Sequence, residues 1–290
     1  MRKAPFGTLA EPLAKHTSLK IGGPAEYYLR VTNEQDLVGA IRVAREKELP
    51  VFVLGAGTNL LVADEGIKGV VLHNDWAETS VDGTTITAAS GTPMASVAAV
   101  AARNGILGLE WMATVPGTVG GAVHGNAGAF GKETSDDLVD AELMDLNGRT
   151  WTATNADLAF AYRTSALQGR PTVVVRARFR GLAGERAEAV RRIKEMANER
   201  MAKQPLAQPN TGSIFRNPPG DHAGRLIEAV GLKGATEGGA MVSTKHANFI
   251  VNIGDASAWD VRHLMERAQH DVKEKFGIDL VPEVELVGEW

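Results

Sequence analysis

Three parts of the sequence carry residue types and spacings that neither a core nor a solvated surface requires. The first is Val53-Leu54-Gly55-Ala56-Gly57-Thr58-Asn59-Leu60-Leu61, a short apolar run that enters a small-residue turn. The backbone N–H groups of Gly55, Ala56, Gly57, Thr58, Asn59 and Leu60 are then approachable by a diphosphate without interference from large side chains. The run is not the dinucleotide fingerprint, because Leu60 stands at the third glycine position, although Asp75 follows where a ribose-binding acid would fall. A tight turn between strand and loop accounts for it equally well. The second part runs from Trp111 to Gly128. It belongs to a stretch, Gly105 to Gly131, that holds eight of the 32 glycines of this 290-residue chain. Pro116, Gly117, Gly120, Gly121, Gly125 and Ala127 let backbone pass close to a flat ring system, with Thr114, Thr118 and Asn126 as hydrogen-bond partners. His124 takes no role, since a lone histidine is more often structural. The third part is dispersed: Tyr162-Arg163-Thr164-Ser165, Gly212-Ser213-Ile214-Phe215-Arg216-Asn217-Pro218 and Pro282-Glu283-Val284. By spacing alone each of these reads as a loop or an ordinary strand end.

Composition narrows the chemistry. The sequence has no cysteine, which removes disulfides, iron–sulfur clusters, thiolate metal sites and a thiol nucleophile together. Redox chemistry would need a bound organic cofactor, and no metal is expected. A formal charge of −4 gives no general attraction to nucleic acid or anionic lipid. The apolar runs are only a few residues long, against roughly 20 for a membrane span. The N-terminus has no secretory pattern, so a cytoplasmic, ordinary globular protein is expected.

The elements that must position these residues alternate strand and helix. Glu26–Val31 reads as a strand, and Asn33 with Asp36 caps a helix carrying Leu37, Ile41 and Ala44, which Pro50 ends. Val51–Leu54 and Val70–Leu72 read as short strands. After an Asp82-Gly83 hairpin turn, Thr84–Ala89 is a strand, and Thr92 caps a helix with Pro93 at its first position and Gly105 beyond its end. Further strands fall near 141–146, 150–152 and 172–179. Glu185–Lys203 is an amphipathic helix with Ala187, Val190, Ile193, Met196 and Ala197 on its apolar side. The Pro/Gln/Asn/Gly-rich stretch to Gly212 reads as an interdomain connection. Ser257 and Asp260 start a helix that Gly277 stops, and Leu280–Val287 closes the chain as a strand.

In their order along the chain these segments resemble UDP-N-acetylenolpyruvoylglucosamine reductase, the MurB family. The likeness runs through His16-Thr17-Ser18-Leu19-Lys20-Ile21-Gly22-Gly23, Gly55 to Leu61, Gly108 to Gly128, Tyr162-Arg163, Gly212 to Pro218, His246-Ala247-Asn248-Phe249-Ile250-Val251-Asn252 and Pro282-Glu283-Val284. The resemblance implies an α+β fold built of α/β-type units: a two-part FAD-binding region of the vanillyl-alcohol-oxidase type, with subdomains at 1–73 and 74–184, and a substrate-covering domain at 185–290. The last strand, about 280–290, is expected to return to the FAD region. The resemblance also implies non-covalent FAD, NADPH as co-substrate, a UDP-sugar enolpyruvyl ether as substrate and a role in peptidoglycan precursor synthesis. Arg163 is then the electrophilic stabiliser and Ser213 the general acid. Glu283 is expected to be protonated or paired with a cation, because a free carboxylate would oppose developing negative charge. Tyr162, Arg216 and Asn217 would meet the substrate. Family members divide by a tyrosine-bearing insertion after the Tyr-Arg motif; only a few residues separate Ser165 from Thr172, as in the shorter, second type. A monomer is expected.

Two rivals follow from the same residues. A related flavin oxidase would often tether its flavin through His or Cys, and acid precipitation distinguishes it by retaining the flavin. A non-catalytic nucleotide-binding module would bind UDP-sugar without flavin bleaching by NADPH.

Overall fold

The computed structural model describes residues 3–4 and 7–290, with side chains from Gly7 onward. The first unit is a five-stranded sheet ordered β1-β2-β3-β6-β4. Its strands are β1 (Lys3–Ala4), β2 (Gly7–Pro12), β3 (Pro24–Val31), β4 (Val51–Leu54) and β6 (Ile67–Asn74). β1, β2 and β3 run antiparallel, whereas β3, β6 and β4 are parallel. A parallel link needs a crossover; helix α1 (Glu34–Glu46) supplies it, and Leu37, Ile41 and Ala44 pack beneath Val31 and Leu72. Asn33 caps α1 by accepting from the N–H of Asp36. The helix stops before Pro50 is reached, because Glu48 adopts a φ of +54°.

The second unit is an antiparallel sheet ordered β13-β12-β14-β8-β7. It consists of β7 (Thr79–Asp82), β8 (Thr85–Ala89), β12 (Leu138–Asp145), β13 (Thr150–Thr154) and β14 (Thr172–Arg180). Met144, Val173 and Val175 join the cluster under α1, so the two sheets share a core. Helices α2 (Met94–Arg103), α3 (Val119–Gly125) and α4 (Thr134–Asp137) lie on the other side, around Trp111, Val119 and Phe179. Two small ladders complete the unit: β9 (Ile106–Leu107) with β15 (Leu182–Ala183), and β10 (Gly128–Ala129) with β11 (Lys132–Glu133). The α2 start differs from the sequence expectation. Pro93 is the cap residue, and the Thr92 hydroxyl is occupied elsewhere, exchanging hydrogen bonds with the backbone of Glu78.

Helix α5 (Arg186–Lys203) buries Ala189 and turns Ile193 and Met196 onto the core around Trp111. Ala187 and Val190, expected on its inner side, are exposed. Beyond it, α6 (Ala223–Ala229), α7 (Ala258–Phe276) and the ladder β16 (Thr236–Glu237), β17 (Ala240–Val242), β18 (Ile250–Asn252) enclose a core with Ile214, Leu226 and Leu264. Ser257 and Asp260 form a capping box on α7, and Gly277 closes it at φ +69°. The final strand β19 covers only Glu285–Val287 and pairs parallel with β5 (Leu60–Val62), directly after the Gly55–Asn59 turn. Pro282 lacks an N–H and gives only an isolated bridge to Phe215, which is why the expected strand from Leu280 starts late. Among the described residues no helix is long and apolar enough to cross a membrane.

Candidate active site

The two glycine-rich segments face each other. A Cβ placed on Gly55 would stand 2.5 Å from Thr118 Oγ1, and one on Gly117 3.0 Å from Thr58 Oγ1, so both positions need glycine where the loops meet. The N–H groups of Ala56, Gly57, Thr58 and Asn59 donate to nothing among the described residues, whereas the Gly57 carbonyl accepts from the Ser18 N–H at 3.0 Å. His16-Thr17-Ser18 therefore braces the turn from behind, leaving its donors outward. His16 is itself held by Glu11 at 3.0 Å and stacks on Tyr28, whose hydroxyl meets His73 at 2.5 Å. Asp75, the expected ribose acid, pairs with Arg30. At Gly125 nothing of the protein lies within 4 Å of an added Cβ. Free donors on one side and bare backbone on the other fit a diphosphate joined to a flat ring, as FAD presents.

Not every expected contact runs through a side chain. The Thr114 hydroxyl donates to the Trp111 carbonyl at 2.7 Å, inside its own turn. Asn126 is fully buried at φ +47°; its amide donates to Ala161 O and its Oδ1 accepts from Ser135 N. Both side chains are thus engaged within the protein, and so is the Asn126 backbone N–H, which donates to Ala122 O.

Arg163 sits at the tip of a tight turn. Ala161 and Thr164 exchange backbone hydrogen bonds of 3.1 and 3.0 Å, and Arg163 between them has φ +57°. Such a conformation in a non-glycine residue costs on the order of 1 kcal/mol or more and needs support around it. Asn126 supplies it through Ala161 O. The guanidinium donates from Nε to Glu283 Oε1 at 2.9 Å, from Nη2 to Gly128 O at 2.9 Å and from Nη1 to Asn126 O at 3.4 Å. Tyr162, 46% exposed, lies with its ring centroid 5.1 Å from the Arg163 Cζ. Gln168, Arg170 and Thr172 close the short link after Ser165 with local backbone bonds, without an inserted element.

Glu283 and Ser213 come from one backbone pairing. The N–H of Glu283 donates to Ile214 O at 2.8 Å and that of Arg216 to Val281 O at 2.9 Å. Asn248, buried, clamps the same segment by accepting from Phe215 N at 3.0 Å and donating to Phe215 O at 2.8 Å. Ser213 is thereby fixed one residue from the pairing, and its hydroxyl bonds to none of the described residues. Burial pushes the Glu283 carboxyl above its usual range, opposed by the charge and hydrogen bond of Arg163 and then by Arg216. Arg216 Nε is buried without a partner. Asn217 uses its Oδ1 to accept from Ala223 N at the start of α6. Asp221 pairs with Arg225, and its pKa falls to about 2.

A profile of an FAD binding domain matches residues 25–154, and one of the UDP-N-acetylenolpyruvoylglucosamine reductase C-terminal domain matches residues 204–287. The chain is 43% identical over 281 residues to UDP-N-acetylenolpyruvoylglucosamine reductase 2 of Symbiobacterium thermophilum, covering 96% of this chain and 91% of that protein. It belongs to the UDP-N-acetylenolpyruvoylglucosamine reductase family. The reductase of Caldanaerobacter subterraneus is 43% identical, with 97% of this chain and 93% of that protein covered. The crystal structure of the MurB reductase from Thermus caldophilus superposes with a TM-score of 0.82 at 36% identity, covering 96% of this chain and 97% of that one. The protein is accordingly an FAD-binding oxidoreductase of α+β architecture, as the sequence resemblance implied.

Two contacts across the site were not anticipated from the sequence. Asn59 donates from its side chain to the Glu283 carbonyl at 3.0 Å and accepts at its own carbonyl from Glu285 N, tying the phosphate-type turn to the residue that pairs with Arg163. Asn252 donates to Leu19 O at 3.1 Å, joining the C-terminal unit to the motif behind Gly57. The conspicuous asparagines in the two motifs were the available signal.

Proposed function

We propose that the protein reduces UDP-N-acetylglucosamine enolpyruvate to UDP-N-acetylmuramate, using NADPH, as a step of peptidoglycan precursor synthesis in the cytoplasm. The observation that carries this reading is Glu283, whose side chain accepts from the Arg163 guanidinium while its backbone N–H donates to Ile214 O, next to Ser213. The Gly55–Leu60 and Thr114–Ala127 segments hold FAD between them. FAD, when bound there, would supply the hydride chemistry that links NADPH to the methylene carbon of the enolpyruvyl group.

The chain's own residues answer the charge and the proton. Hydride addition at the methylene leaves an electron pair on the neighbouring carbon, delocalised into its carboxylate. Of the five N–H donors of Arg163, three are engaged by Glu283, Gly128 and Asn126, which leaves one on each terminal nitrogen. That remaining pair suits a carboxylate taken from two sides. Ser213 donates the proton that completes the lactyl ether, its hydroxyl being uncommitted to other protein groups. Glu283 keeps Arg163 oriented, and the pairing with a cation removes the opposition a free carboxylate would offer. Tyr162, Arg216 and Asn217 contact the UDP-sugar, and Arg216 Nε is an uncommitted donor for it.

We divide the chain into 1–73, 74–184 and 185–290, working as a monomer. The separate clusters around Ile86 and Ile214 support the outer boundary, with α5 as the exception that leans on the second unit. The test is anaerobic. Purified protein should lose its flavin absorbance on addition of NADPH and recover it on addition of the enolpyruvyl substrate; recovery with neither this substrate nor an analogue of it would reject the assignment.

A further inference from the structure

A second cavity, of about 330 Å³, opens beside the loop junction, with Thr58, Pro116, Ser18, Gln208 and Asn210 on its walls and Arg200 from the last turn of α5 reaching into it. Arg200 is the unexplained member. Its Nε donates to Gln204 Oε1 at 2.8 Å, while its two terminal nitrogens bond to nothing among the described residues. No carboxylate among the described residues forms an ion pair with it, and no acidic side chain lines the cavity. Burial pushes its pKa down, the mark of a cation taken partly out of water without an anion beside it. The end of a helix favours a cation, but a solvated lysine serves that purpose, as Lys203 does in its exposed 2.6 Å pair with Glu199. A guanidinium directed into a wall of hydroxyls and amides serves a different one, since its planar fork matches phosphate oxygens.

We propose that Arg200 makes this cavity an anion site for a phosphate group of a bound dinucleotide. The adjacency of Thr58 and Pro116 favours the FAD diphosphate, so the inference rests on the reading of these loops as the flavin cradle. The site then draws α5, which the sequence assigns to the covering unit, into cofactor retention. The Ser18 hydroxyl, donating at 2.7 Å to Asn210 O, holds the far wall against the first unit.

The test uses Arg200→Gln and Arg200→Lys beside the unaltered protein. Flavin is removed, and FAD is titrated back by its fluorescence at low and high KCl. The Gln variant should raise the FAD Kd at least tenfold at low salt, with the gap narrowing as salt rises; Lys should fall between, having the charge without the fork. If FAD affinity holds but KM for NADPH rises tenfold while KM for NADH does not, the phosphate is that of the co-substrate, and the anion site stands. Unchanged values in both arms overturn it. Thermal midpoints of the flavin-free proteins within a few degrees of one another separate ligand binding from folding. Gly125→Ala tests the cradle reading independently: its Cβ meets no protein atom, so wild-type FAD affinity there would sink that reading whatever Arg200 does.

Discussion

Glu283 reaches Arg163 across 120 positions of sequence, its Oε1 accepting from Nε at 2.9 Å, while its N–H donates to Ile214, the residue after Ser213. One residue thus links the guanidinium by its side chain and the hydroxyl-bearing segment by its backbone. Moving the segment that leads into β19 would disturb both groups together. Because Glu285 pairs with Leu60 and Asn59 donates to Glu283 O, the same strand is also registered against the flavin cradle.

Replacing Glu283 with Gln keeps the shape and an acceptor for Arg163 while removing the charge. Reduction of flavin by NADPH should stay within a few-fold of wild type, and reoxidation by the enolpyruvyl substrate should slow by about 10², the scale for a catalytic group that has lost its orientation. Stopped-flow absorbance separates the two steps. An equal loss in both would mean that the carboxyl serves the fold or the flavin instead.

The pH dependence of stability has a definite sign at the same position. The folded pKa of Glu283 is raised above its ordinary 4.5, so between that value and the folded one the native state holds more protons than the unfolded state. Its contribution to stability is therefore greatest in acid and declines as pH rises through this window. The difference in thermal midpoint, Gln variant minus wild type, should become more positive from pH 4 to pH 8. A difference that is flat or falls would show that Arg163 outweighs burial.

Asn126 holds the turn beneath Arg163 through Ala161 O and Ser135 N. Asn126→Ala removes one of the two donors to Ala161 O and leaves Ser135 N without its acceptor, costing about 1–3 kcal/mol of stability, measurable by urea titration of the flavin-free protein. Because Arg163 loses its footing, kcat with the enolpyruvyl substrate should fall more than the FAD affinity does. The reverse order would assign Asn126 to flavin contact.

Gly55→Ala would force a Cβ against Thr118 Oγ1. The FAD Kd should rise at least tenfold, and adding Thr118→Ala should restore part of it. Simple additivity of the two changes would contradict the contact between the loops.

Much of this architecture was legible because its signals are local. The capping box at Ser257 and Asp260, the stop at Gly277 and the bare backbone of the two glycine-rich loops are written in neighbouring residues. The site pairings are not. Nothing local in Tyr162-Arg163 names Glu283, and nothing in Asn59 names a carbonyl beyond residue 280; only the return of β19 to β5 brings them together. Thr92 misled because its cap pattern competes with a tertiary partner, the Glu78 backbone. Helix α5 misled because several apolar residues fit its period, and only packing against the Trp111 core chooses Ala189, Ile193 and Met196 over Val190.

The proposed convergence of Arg163, Ser213 and Glu283 on one reacting carbon is tested most directly by Ser213→Ala in separated half-reactions. Since the Ser213 hydroxyl bonds to no described residue, the variant should fold with an unaltered thermal midpoint and be bleached by NADPH at a near wild-type rate. Its reoxidation by UDP-N-acetylglucosamine enolpyruvate should be slower by about 10²–10⁴. Wild-type reoxidation, or the same loss in both half-reactions, would contradict the assignment of Ser213 as the proton donor.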